Sequence, residues 1–126
     1  MTGVARVFFL SALIYGLAGM MLGISMAASH DHGQMPTHAH TMVIGWLSFA
    51  VFGLFYHHFP AAAGSTLARM HMWVAEVSLL VLIVGLFLLY GGNTALAPML
   101  AIASIIYAAS FAMFAWVAYR AIGKAA

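Results

Sequence analysis

Residues 66 to 90 read TLARMHMWVAEVSLLVLIVGLFLLY, a run in which Arg69 and Glu76 are the only charges. About 20 predominantly apolar residues span the hydrocarbon of a bilayer as a helix, so this run is long enough to cross it. Working outward, residues 4–28, 37–59 and 95–122 are apolar runs of the same kind. The sequence therefore predicts an all-α, integral membrane four-helix bundle, up-down-up-down, in one transmembrane domain over residues 1–126.

Composition points the same way. Of 126 residues, 66% are hydrophobic and 5% are charged, against about 25% charged in a soluble domain. Four basic and two acidic residues are too few to cover a water-facing exterior, so the apolar surface must face lipid. There is no basic patch to receive nucleic acid. With no cysteine, disulfides, thiolate metal sites, iron–sulfur clusters and covalently attached haem are excluded. A metal would have to be held by His, Met or carboxylate.

The runs carry helix punctuation. Pro36 followed by Thr37 reads as an N-cap, Pro60 ends the second run, Ser65 or Thr66 caps the third, and Gly91-Gly92-Asn93 follows it. The MAAS segment at residues 26–29 resembles a small-residue cleavage site, but the apolar core before it exceeds a signal-peptide h-region, so the first run is expected to stay. Arg6, Arg69, Arg120 and Lys124 fall at one end of such a bundle, which predicts both termini cytoplasmic and the first loop outside. Trp116 and Tyr119 suit an interfacial aromatic belt. Gly19 and Gly23, with Gly16 before them, and Ala108 and Ala112 have the spacing of close helix contacts, within the chain or between copies. The scattered methionines read as packing.

The chemistry lies in seven histidines and one intramembrane carboxylate. His30, His32, His38 and His40 fall at the outer end; His57, His58 and His71 fall at the inner end. His40 and His58 are separated by about 27 Å along a helix, too far to share one metal. His38 and His40 are about 200° apart around a helix, so only one of them can face the interior. Neutral imidazole at the mouth of an apolar bundle is a natural axial ligand for haem, and His40 is the leading candidate. His30, His32, His38 and His40, with Met35 nearby, are alternatively a copper or zinc set. His57, His58 and His71 form a candidate inner site, with His71 a possible ligand between the second and third helices. Glu76 sits near mid-membrane, where carboxylates are costly and functional by default, and Tyr15 reaches a similar depth; the two are a candidate proton relay. No hydrolytic triad, nucleotide loop or HExxH helix is present.

The segment HAHTMVIGWLSFAVFGLFYHHFP, residues 38–60, resembles the second transmembrane helix of the catalytic subunit of the haem-copper oxidase and nitric oxide reductase family. In that family a histidine at the helix start, followed by a short motif, binds the low-spin haem, and the resemblance puts His40 in that place. LARMHMWVAEVSLLVLIVG, residues 67–85, is similar to the next helix of the nitric oxide reductase branch, with Trp73 at the matching aromatic position. The resemblance covers the first three helices and extends to short four-helix relatives of that subunit. The family takes its other haem and metal ligands from later helices that this chain lacks. Oxygen or nitric oxide reduction by this chain alone is accordingly not expected.

The resulting expectation is a small b-type cytochrome in a bacterial inner membrane. It would bind haem b (protohaem IX) through His40, with the second axial ligand from the outer cluster or a partner in a homodimer. Its work would be electron transfer with a respiratory redox partner, or sensing of gas or redox state. The alternatives are a copper or zinc binding or transport module and a structural accessory subunit of a larger oxidase.

Overall fold

The computed structural model describes residues 1–125, with side chains through Gly123. Lys124, one of the four basic residues used to orient the chain, therefore has its side chain outside the described residues. The described residues form helices joined by short connections, with no strand among them. Among the described residues, four helices are long and apolar enough to cross a membrane. They are α1 (Gly3–Ser29), α2 (Met35–His58), α3 (Thr66–Tyr90) and α4 (Ala97–Ala125). A single helical turn, Pro60–Ala63, follows α2, and a 3₁₀ turn, Thr94–Leu96, leads into α4.

The boundaries of α3 are those read from the sequence, because its stop and start signals are local. Ser65 Oγ accepts from the Ala68 backbone N–H at 3.1 Å, which satisfies one of the donors left over at a helix start. After Tyr90 the chain turns through Gly91 and Gly92, the latter at φ +112°, where a side chain would be strained.

The start of α2 corrects the expected cap. The helix begins at Met35 with Gln34 as N-cap, and Pro36 lies in the first turn, where its missing N–H costs nothing. Thr37 is buried inside that turn and its Oγ1 donates to Gln34 Oε1 at 2.7 Å. Gln34 Nε2 in turn donates to the Phe87 carbonyl at 3.0 Å, tying the loop to the end of α3.

Residues Thr41–Leu47 of α2 are π-helical. Two side chains add donors to this stretch: Ser48 Oγ donates to Val43 O at 2.9 Å, where the Ser48 backbone N–H also points, and Tyr107 Oη from α4 donates to Ile44 O at 2.8 Å.

Glycines set the α1–α2 packing. A Cβ at Gly23 would meet the His38 ring, at Gly19 the Met42 and Thr41 side chains, and at Gly16 the Trp46 ring. The Gly19 and Gly23 pair thus serves contacts inside the chain, whereas Ala108 and Ala112 are exposed. The core is aromatic. Phe8 lies 5.0 Å from Phe49 and 5.3 Å from Phe52, both edge-on between ring centroids, and all three are fully buried.

Candidate functional site

The loop that carries the first histidines is built to end α1. His30 adopts the left-handed conformation, φ 59°, that closes a helix C-terminus. Asp31 accepts from the Gly33 N–H at 2.9 Å in an Asx turn, and Ser29 Oγ accepts from the Asp31 N–H at 3.2 Å. The Asp31 carboxylate therefore holds the turn. His30 and His32 are exposed on either side of it.

His38 and His40 diverge, as their spacing requires. His38 lies against α1: its Nδ1 donates to the Gly19 carbonyl at 2.8 Å. His40 is exposed, and its Nδ1 donates to the Pro36 carbonyl of its own helix at 2.7 Å. A carbonyl oxygen can only accept, so in both rings Nδ1 carries a proton, and in the neutral form of each the Nε2 lone pair is left for another group. A backbone carbonyl holding the far nitrogen is the arrangement that orients metal-bound imidazoles. Among the described residues, no three of His, Asp and Glu converge on a point that would hold a metal ion.

The expected inner group does not gather. His57 and His58 are exposed, their ring centroids 5.6 Å apart, and His58 Nδ1 donates to the Leu54 carbonyl at 2.9 Å. His71 is fully buried in the core. Its ring lies among Phe8, Phe52 and Phe114, at centroid distances of 4.9, 4.8 and 5.6 Å. Its Nδ1 shares a 3.0 Å hydrogen bond with the Tyr56 hydroxyl, and its Nε2 has no partner.

Glu76 is one and a half turns further along α3 than His71, half-buried, with Ser11 and Tyr15 of α1 beside it. Its Oε1 is buried without a hydrogen-bond partner. Two polar atoms of one helix are thus kept in the apolar interior unsatisfied. Such groups are rare in native structures and ask for an explanation.

For a haem, the fit differs from histidine to histidine. His40 offers an Nδ1 held by its own helix and an exposed ring against whose open side a flat macrocycle can lie. His71 is enclosed by aromatic rings and offers no such face. The π-helical stretch starts at the residue after His40, and π-turns inserted in helices are frequent at functional sites. No protein-family model, curated protein or solved structure matches this chain.

Proposed function

We propose that this chain is a small membrane b-type cytochrome that holds haem through His40 and works in electron transfer or in sensing of redox state or a small gas. What supports the reading is the Pro36 bond, which in the neutral ring puts the proton on Nδ1 and leaves the Nε2 lone pair of an exposed imidazole for another group. Because His38 is drawn towards α1 by Gly19, the other histidine that would hold the haem is His40 of a second copy, in a two-fold dimer. When bound, the haem supplies reversible one-electron redox chemistry, tuned by its axial ligands and burial. The chain's part is to fix the ring, exclude water with its apolar helices and supply a titratable group, Glu76, within the membrane.

The topology that goes with this reading is up-down-up-down with both termini cytoplasmic, supported by Arg6, Arg69 and Arg120 under the rule that basic residues stay inside. The membrane is then a bacterial inner membrane. The likeness of residues 38–60 to the haem-bearing helix of the haem-copper oxidases is part of the same proposal.

Purified His40→Ala protein is expected to lose its haem, while His38→Ala, which removes only the contact with α1, keeps it. Full haem content in His40→Ala would overturn the assignment. For the relay, Glu76→Gln preserves shape and removes the proton. The reduction potential of the variant should then vary less steeply with pH than that of the parent chain; identical slopes would remove Glu76 from the scheme.

A further inference from the structure

At the opposite end from His40, a groove of about 510 Å³ lies between the Pro60–Ala63 turn, the start of α3 and the end of α4. It exists because Phe59 breaks α2 at φ −116°, ψ 69°, which sends the following turn aside. Its walls are apolar, formed by Phe59, Leu67, Val117 and several alanines, and His58, Ser65, Trp116 and Arg120 carry its polar groups. The volume is in the range that takes a small amphiphile.

Charge decides what kind. The Arg120 guanidinium stands 6.0 Å from the centroid of the exposed Trp116 ring, and among the described residues it has no carboxylate partner. No acidic side chain is near, because the chain holds only two, Asp31 and Glu76. Asp31 is bound into the loop after α1 and Glu76 sits midway along α3. A cation beside an apolar groove, at the end of a membrane helix, is therefore left by the acidic side chains to pair with an anion from outside the chain. The anions present at that depth are lipid phosphates. The rim can also complete a phosphate's hydrogen bonds: Ser65 accepts from Ala68 N–H, leaving its own O–H to donate.

We propose that this groove binds an anionic phospholipid, the headgroup phosphate on Arg120 and Ser65 and one acyl chain along Leu67, Val117 and the Trp116 face. The site is independent of the haem assignment.

Native mass spectrometry of the full chain tests it, with detergent micelles doped with phosphatidylglycerol or with phosphatidylcholine. Retention of one phosphatidylglycerol per chain is expected, with about a fivefold preference over phosphatidylcholine, the size of one basic residue's attraction to an anionic surface. Arg120→Gln should abolish the preference. Arg120→Lys and Arg69→Gln, the latter at an exposed arginine outside the groove, should keep it and so report that the fold survives. Equal retention of both lipids would overturn the proposal, as would an unchanged preference in Arg120→Gln. Displacement of the lipid by millimolar inorganic phosphate would overturn it in favour of a free-anion site. Occupation only by a copurifying protein would overturn it in favour of a subunit contact.

Discussion

The Tyr56–His71 pair permits a quantitative test of how this membrane core is held together. Both side chains are fully buried, and the 3.0 Å bond between them joins α2 to α3. Tyr56→Phe keeps the ring and deletes the hydroxyl, leaving both nitrogens of His71 unpaired, since Nε2 already lacks a partner. Losing a buried bond removes about 1 kcal/mol, and stranding its partner costs about 1–3 kcal/mol more. Interhelical bonds in membranes measure lower, averaging about 0.6 kcal/mol, so the expected loss is about 1–2 kcal/mol. His71→Leu strands the Tyr56 hydroxyl but also removes the unpaired Nε2, so its loss should be smaller. In Tyr56→Phe with His71→Leu, no unpaired polar atom of the pair remains, and apolar replacement of both partners is close to neutral. The double variant should therefore be more stable than Tyr56→Phe alone, with a coupling of about 1 kcal/mol. Reversible unfolding in mixed micelles with rising dodecyl sulfate gives all four values. Losses that simply add would refute the reasoning, because they would mean that the two groups do not depend on each other.

Two further outcomes follow from the packing. Gln34→Ala removes the link to Phe87 and strands the buried Thr37 hydroxyl, which should cost about 1–2 kcal/mol and speed hydrogen exchange across residues 30–40 in particular. Gly53→Ala would set a Cβ 3.0 Å from Phe9 N and 3.1 Å from the Ala5 carbonyl oxygen. Both are backbone atoms that cannot swing away, so overpacking of about 1–3 kcal/mol should outweigh the gain in helix propensity of about 1 kcal/mol. Gly123→Ala, with open space around it, should be neutral or stabilising in the same unfolding assay.

How far the sequence could be read depended on whether a feature is local. The third helix was legible, with its cap left between Ser65 and Thr66, because Ser65 and Gly91-Gly92 are signals that act within one turn. The start of α2 was not, since Gln34, its N-cap residue, is held in place by a bond to Phe87, 53 positions away. The π-helical turn left little mark: the same residues suit an α-helix, and what sustains it is partly Tyr107 from another helix. Its one sequence cue is polar Ser48 placed where its hydroxyl can reach back to Val43.

The site divides along the same line. That His38 and His40 point apart followed from 3.6 residues per turn. Which of them meets a neighbour depended on the glycines of α1, and it is His38 that rests on Gly19 and Gly23. The burial of His71 apart from His57 and His58 likewise follows from the aromatic side chains around it, drawn from three other helices or turns of the chain. That Glu76 sits midway along an apolar helix was plain from its place in the third run. That Ser11 also lies beside it required the packing of α1 on α3.

The most direct test of the cytochrome proposal is an absorption spectrum of the purified, detergent-solubilised protein, oxidised and then reduced with dithionite, with metal analysis on the same sample. A Soret band with sharp reduced α and β bands, and one haem iron for every two chains, is the predicted result for His40 rings meeting across a dimer. A colourless protein that carries copper or zinc and takes up no added haem would contradict it.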